Sequence, residues 1–331
     1  MDIVETFSQR AVPTSAAFAN IPAWHNFGTV VDTDGQKGMT LEQALPLAGL
    51  DFTVQKVPIF GPQGQPVARR YGVQREDTGE ILGVVGETWQ PVQNLEGLSI
   101  LNDLISLATD QEGYKLWIES AFALDEGRKV CVLVNIDEDW QIAGENYKSY
   151  LLISNGHDGQ LAVSAAVVDM RVVCANTLNY ALFTEGKETG RVVRVRHTST
   201  AAARLRTASD VLKLRNLRKE ELAKQGEWLV DQTMSDSDFA EFLENLMPIS
   251  TEQSDKAGGT KIRDRRAEVS RLFFDAPNLE PIRGTKWSAL QAVVEYADHS
   301  RSFQTQETQA KAQLGFTATP IKDRALELLV R

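Results

Sequence analysis

The sequence has few of the residues that would tie it to a metal, a membrane or an oxidising compartment. It contains two cysteines and four histidines among 331 residues, and their spacing resembles no zinc-binding motif. No apolar run approaches the roughly 18 residues of a membrane span, and the N-terminal MDIVETFSQR lacks the basic and apolar regions of a signal peptide. Cys131 and Cys174 lie in apolar segments, which indicates buried thiols. We therefore expect a cytoplasmic protein with neither a bound metal nor a membrane attachment.

Nucleotide-binding loops are missing as well. The glycines of LGVVG at 82–86 belong to neither a Gly-Lys-Ser/Thr sequence nor a Gly-x-Gly-x-x-Gly spacing, which phosphate-binding loops require. No carboxylate pair and no metal triad has a spacing that indicates catalysis. We expect no cofactor, and the sequence favours a protein that works without covalent or acid–base catalysis.

Charge, by contrast, is unevenly distributed. Residues 1–186 carry 11 basic and 24 acidic side chains, a net charge of −13, whereas residues 187–224 carry 11 basic and 4 acidic side chains, a net charge of +7. A basic segment inside an acidic protein is typical of a nucleic-acid contact. The alternative is a solvated helix face whose arginines form salt bridges within the protein.

Apolar patterns predict an α+β fold with a central antiparallel sheet and a long β-hairpin flanked by helices. Apolar runs at 150–154 and 161–168 flank the polar turn NGHDG, which predicts the hairpin. Alternating residues at 115–124 and 129–136 predict two neighbouring strands. From Cys174 onward the apolar residues recur at helical spacing, which predicts a helix with Asn176 at its start.

The chain divides into three predicted parts. Residues 1–20 are expected to form a flexible N-terminal arm, residues 21–230 an α+β core domain, and residues 231–331 a helical C-terminal region. Within the core, arginines alternate with valines in GRVVRVRH at 190–197, which predicts a half-exposed edge strand with its basic residues outward. Two local expectations are a helix over 95–108 capped by Asn94 and a mobile Gln- and Thr-rich segment at 304–316.

Three motifs carry a family resemblance: HDG at 157–159, RVVCANTL at 171–178 and RHT at 196–198. They resemble the phage/plasmid-like protein family, also known as domain of unknown function 932. PAWH at 22–25, LGVVG at 82–86 and PVQN at 91–94 match the same pattern, so the resemblance covers about residues 20–225. Its phage and plasmid context implies a protein that acts inside a bacterial host cell.

The order of predicted elements is also similar to that of phage single-strand annealing proteins. That likeness implies binding and annealing of single-stranded DNA in recombination or replication, by a homo-oligomeric ring or filament that needs no cofactor. The residues expected to contact phosphates or bases are Arg171, Arg191, Arg194, Arg196, Arg204, Arg206, His157 and Asn176.

Two other functions stay open. The acidic excess in residues 1–186 favours a DNA mimic or another protein-binding accessory factor that acts on a host system. A hydrolase would use His157, Asp158 and His197, with Cys174 as a possible nucleophile. The accessory role would leave the basic segment to internal salt bridges.

Overall fold

The computed structural model of the chain describes residues 16–19, 29–31, 38–113, 115–172, 176–177, 192–194, 201–251, 257–316 and 320–331. Within these ranges the fold is α+β, as predicted. The strands are β1 (Ala16–Ala19), β2 (Thr29–Val31), β3 (Val54–Phe60), β4 (Pro66–Arg75), β5 (Ile81–Gly86), β6 (Leu116–Leu124), β7 (Lys129–Ile142), β8 (Glu145–Gly156), β9 (Ser164–Arg171), β10 (Asn176–Thr177) and β11 (Val192–Arg194).

Among the described residues, three α-helices lie between β2 and β6 along the chain and six follow β11. The α-helices are α1 (Leu41–Leu47), α2 (Asn94–Leu98), α3 (Ile100–Leu107), α4 (Ala201–Asp231), α5 (Asp236–Leu246), α6 (Ala257–Asp275), α7 (Lys286–Glu295), α8 (Gln306–Gln313) and α9 (Pro320–Leu329). Two π-helical turns, Ala108–Glu112 and Tyr296–Ser300, continue α3 and α7. Short 3₁₀ turns occupy Asp125–Gly127 and Pro277–Ile282.

Contacts divide the chain into two compact units that are interleaved along the sequence. Unit 1 comprises Met1–Glu138, Tyr150–Val167 and Glu188–Arg215, and unit 2 comprises Asp139–Ser149, Val168–Lys187 and Asn216–Arg331. These bounds differ from the predicted 1–20, 21–230 and 231–331. The bounds differ because β7, β8, β9 and α4 each contain residues of both units. The predicted division is continuous along the sequence and cannot interleave in this way.

The large sheet of unit 1 is built on a β6–β7 hairpin. These two strands are antiparallel, with Phe122 opposite Cys131. The strand order of the sheet is β10-β9-β8-β7-β6-β1-β2, and β11 also pairs with β9. Strand β1 is antiparallel to β6 and parallel to β2. Ala16–Ala19 is therefore hydrogen-bonded into the sheet, although the sequence predicted an arm there. A smaller antiparallel sheet, β3-β4-β5, completes the strands of this unit.

Helix starts in unit 1 follow local hydrogen bonding. Thr40 and Gln43 form a capping box at the start of α1. The predicted cap at Asn94 is wrong, because Asn94 is the first residue of α2 and its side-chain amide instead donates to the carbonyl of Leu50. The predicted single helix over 95–108 is interrupted at Ser99, which separates α2 from α3.

Unit 2 is mainly helical and has a core of its own. The rings of Phe239 and Phe273 stack with centroids 3.9 Å apart, and Trp287 is wholly buried in the same cluster. Ser235 and Asp238 form the capping box of α5.

Two sequence expectations fail in unit 2. Residues 304–316 were predicted to be mobile, yet α8 forms there because Ala310, Ala312 and Leu314 are buried. Asn176 and Thr177 were placed at a helix start, yet they form β10 and pair with Arg171 and Met170 of β9, so strand pairing outweighs the helical spacing. Cys174 and residues 178–183 of that predicted helix lie outside the described residues.

The described ranges contain no helix that is both long and apolar enough to cross a membrane. Across the same ranges, no three His, Cys, Asp or Glu side chains are grouped as metal ligands would be. Cys131 is buried, and burial raises the pKa of its thiol, so this cysteine remains a protonated core residue.

Candidate functional site

Three motifs of the sequence meet in unit 1. LGVVG forms most of β5, PVQN leads into α2, and NGHDG comprises the last two residues of β8 and the first three of the turn after it. The backbone of β5 comes so close to the turn that a Cβ added at Gly83 would lie 2.6 Å from the Cα atom of Asp158. Only glycine permits this approach, since real side chains do not tolerate such a distance.

Asn94 contacts both Asn155 and His157 where these motifs meet, and we call these three residues the Asn94 cluster. Its side-chain Nδ2 donates to the carbonyls of Leu50 at 2.9 Å and Phe52 at 3.4 Å. Its Oδ1 accepts from Asn155 Nδ2 at 3.2 Å and lies 2.7 Å from His157 Nε2. All three side chains are buried, so their hydrogen bonds are made without competition from water.

The geometry fixes the tautomer of His157. Because the amide nitrogen of Asn94 is used by two carbonyls, its Oδ1 must accept, and His157 Nε2 therefore carries the proton. Nδ1 then has a free lone pair, and no partner for it exists among the described residues. The Phe52 ring meets the imidazole edge-on, with centroids 5.7 Å apart.

Electrostatics keep His157 neutral. Burial lowers the pKa of its imidazole to about 4. The nearby Asp158 carboxylate raises this pKa and the Arg75 cation lowers it, but burial has the largest effect. The wholly buried ring cannot stack on a nucleobase in this structure. His157 is thus placed to hold the turn in position.

Asp158 is fully engaged in the same turn. Its Oδ1 accepts from the backbone N–H of Gln160 at 2.8 Å and of Leu161 at 3.3 Å. Its other oxygen lies 3.3 Å from Lys129 Nζ, which also contacts Asp125 at 2.7 Å. Burial opposes the charge on Lys129, but the two carboxylates hold its pKa above the usual value. This arrangement gives Asp158 a structural role in the turn.

Asn155 and Gln93 also hold this junction together, although neither was among the predicted site residues. Asn155 Nδ2 donates to the carbonyl of Val92 at 3.1 Å. The Gln93 amide accepts from Val54 N at 3.0 Å and donates to Val54 O at 2.9 Å, as a neighbouring strand would. The sequence does show polar residues in PVQN and NGHDG. Their hydrogen bonds join residues about 60 positions apart, and local spacing cannot predict such contacts.

Arg171 occupies a buried site in unit 2. Its guanidinium is wholly buried and pairs with both carboxylate oxygens of Glu145, with Nε 3.0 Å from Oε2. Nη2 also donates to the carbonyl of Asn278 at 2.6 Å. The group is therefore turned into unit 2, away from any external phosphate.

Two predicted phosphate ligands are exposed in unit 1. Val192–Arg194 forms β11 and pairs antiparallel with residues 164–166 of β9. Arg194 is exposed while Val193 packs against the core of this unit, so the predicted alternation holds for these residues. Arg206 is exposed on α4, whereas Ala208 on the same helix is buried. We call Arg194 and Arg206 the exposed arginines.

Other members of the basic segment have different positions. Arg215 is buried and pairs with Glu138, and Arg218 pairs with Glu221 at 2.7 Å, so part of the segment does form internal salt bridges. Arg191, Arg196 and His197 lie outside the described residues. Asn176 and Arg204 belong to β10 and α4, but their side chains are not described.

Comparison with protein families matches residues 81–315 to the family described as Domain of unknown function (DUF932). The matched range contains the Asn94 cluster, β11 and most of the C-terminal helices. It begins after PAWH at 22–25 and ends well beyond residue 225, so its extent differs from the resemblance read from the motifs. No curated protein and no solved structure matches the chain.

Proposed function

This chain belongs to the DUF932 family, and we propose that it binds single-stranded nucleic acid through its exposed arginines. The observation that supports this most is the edge strand β11, where Arg194 is exposed and Val193 packs into the core. Packing of the valine holds the strand in place, so the arginine next to it is presented to solvent from a fixed backbone.

Charge supports the same site. Arg194 and Arg206 both lie in the basic segment at residues 187–224. The net charge of this segment is +7, whereas that of residues 1–186 is −13. Exposed cations of one basic segment attract phosphates even on an acidic protein, and contacts of this kind give affinity with little sequence preference. Arg171 and His157 are left out of the proposed contact, because both are buried.

The assembly we propose also uses β11. Among the described residues this strand pairs with β9 alone, and we propose that its other edge pairs with a neighbouring copy. Growth of a ring or filament by edge-to-edge pairing is the mode of phage annealing proteins. Strand annealing in phage or plasmid recombination is accordingly the finer form of the proposal.

The test is fluorescence anisotropy of a labelled single-stranded oligonucleotide titrated with the protein. Arg194→Glu combined with Arg206→Glu should weaken binding at least tenfold, since two attractions become repulsions. Lys261→Glu with Arg331→Glu is the matched control, because both residues are exposed in unit 2 and the change in net charge is the same. The control should bind like the wild type.

Equal weakening by the two double variants would contradict the proposed site, since it would mean that net charge alone decides the affinity. No saturable binding at micromolar wild-type protein, even at low salt, would contradict nucleic-acid binding altogether. That second outcome would favour the protein-binding accessory role instead.

A further inference from the structure

Helix α4 carries an exposed stripe within unit 2 that consists of Leu217, Glu221, Lys224 and Trp228. Spacings of four, three and four residues place them on one face of the helix. Leu217 and Trp228 are 66% and 44% exposed, which is unusual for large apolar residues on a helix that is otherwise well packed. The stripe spans about 17 Å along the helix axis.

The opposite face of the same helix is the one that packs. Leu222 and Leu229 are buried, and a Cβ added at Gly226 would lie 2.6 Å from a side-chain carbon of Ile142. Successive residues turn by about 100°, so the stripe faces almost directly away from these residues. Its apolar ends are thus not part of the core of unit 2.

The stripe is complementary to itself. Leu217 and Trp228 lie equally far from the midpoint between Leu222 and Ala223, and so do Glu221 and Lys224. Two copies of the helix that run antiparallel about a two-fold axis at this midpoint place each Leu217 against the partner's Trp228. The same register places each Glu221 against the partner's Lys224, as an isologous contact requires.

We propose that this stripe is a homodimer contact, occupied by the same stripe of a second copy of the chain. Both charged residues are accessible to a partner, since Glu221 is 64% exposed although it also pairs with Arg218, and Lys224 is exposed. The Trp228 ring is supported from within unit 2 by Lys286, whose Nζ lies 5.5 Å from the ring centroid.

Space next to Trp228 favours an inserted apolar side chain. A shallow cavity of about 380 Å³ is lined by Glu221, Lys224, Gln225, Trp228 and Val330, and Val330 is itself 40% exposed. The partner's Leu217 would enter on this side. A contact of this length is small, and small interfaces associate weakly, so the dimer should form in the micromolar range or above.

The first measurement is sedimentation equilibrium of the full chain without nucleic acid, from low micromolar to submillimolar concentration. The average mass should rise from that of one chain toward that of two. Leu217→Ala with Trp228→Ala should leave the chain monomeric over the same range. Omitting nucleic acid separates this result from the proposed function, which stands or falls on strand binding.

A charge swap tests the register. Glu221→Lys alone should weaken dimerisation about tenfold, because the two-fold axis turns two attractions into two repulsions, and Lys224→Glu alone should do the same. The double variant, Glu221→Lys with Lys224→Glu, should restore the wild-type dissociation constant. Glu244→Lys, an exposed position on α5, is the control that should change nothing.

Three results would overturn the proposal. The wild type could stay monomeric at every concentration. The variants Glu221→Lys and Lys224→Glu could each dimerise as well as the wild type, which would place the contact elsewhere. Finally, the swap could fail to restore association while circular dichroism shows all variants folded, which would exclude the antiparallel register.

Discussion

Asn94 decides how His157 is protonated, and through it how the turn after β8 responds to pH. The Asn94 amide is oriented by the carbonyls of Leu50 and Phe52, and its oxygen selects the Nε2–H tautomer of the imidazole. Protonation of Nδ1 would place a charge in a buried site next to the Phe52 ring. The cost of that charge makes His157 a pH-dependent element of the fold.

The pH dependence has a definite sign. Histidine in the unfolded chain has a pKa of about 6.5, whereas burial lowers that of His157 to about 4. Between these values the unfolded state takes up a proton that the folded state does not, so the free energy of unfolding falls as pH decreases. His157 alone should cost about 2 kcal/mol between pH 7 and pH 5.

Urea denaturation at the two pH values measures this cost in the wild type and in His157→Gln, which keeps an N–H donor for Asn94. The variant should lose about 2 kcal/mol less than the wild type on going from pH 7 to pH 5. Identical pH dependence in the two proteins would contradict the depressed pKa.

Arg171 and Glu145 give a second prediction at this scale. Removing one partner leaves the other charge buried and unpaired, so Glu145→Ala should destabilise the protein by about 3–5 kcal/mol in urea denaturation. Glu244→Ala, at an exposed position, is the control and should change the stability by less than about 0.5 kcal/mol. A small effect of Glu145→Ala would mean that water reaches Arg171.

At the scale of elements, the junction of β5 with the turn after β8 depends on a glycine. Gly83→Ala would force the β5 backbone away from Asp158, and overpacking of this kind costs about 1–3 kcal/mol. Gly86 ends the same strand, and a Cβ added there meets nothing within 4 Å. Gly86→Ala should therefore be nearly neutral when thermal unfolding of the two variants is compared. Equal effects would show that strand propensity, rather than the close approach, explains the glycine.

Elements with strong local patterns could be predicted from the sequence. The β6–β7 pair, the hairpin around NGHDG, α1 with its cap at Thr40 and α5 with its cap at Ser235 all follow from alternation, turn residues or capping boxes. Helix α8 could not be predicted in this way, because its buried face is formed by the small apolar residues Ala310 and Ala312. Strand β10 could not either, because its partner β9 is outside any local window.

The candidate site shows the same limit. Sequence spacing identified the motifs but could not show that PVQN and NGHDG meet through Asn94, Asn155 and His157. It also treated Arg171 and Arg194 as alike, since both are arginines in basic surroundings. Only the register of their strands distinguishes them: one side chain is buried against Glu145, and the other is exposed at the edge of the sheet.

At the scale of the whole molecule, the distribution of charge connects fold to function. An acidic protein repels nucleic acid in general, so the proposed binding would depend on surface cations that have no ion pair among the described residues. Arg215 and Arg218 are used in ion pairs within units 1 and 2, respectively. The exposed arginines are then the residues on which affinity for a phosphate backbone should depend.

The most direct test is the salt dependence of single-strand binding, measured by anisotropy for the wild type and for Arg194→Glu with Arg206→Glu. Each phosphate contact on a single strand contributes about 0.7 to the slope of log K against log salt concentration. We predict that the slope of the double variant is smaller by about 1.4, while Lys261→Glu with Arg331→Glu keeps the wild-type slope. An unchanged slope in the arginine variant, or no binding by the wild type at low salt, would contradict the account.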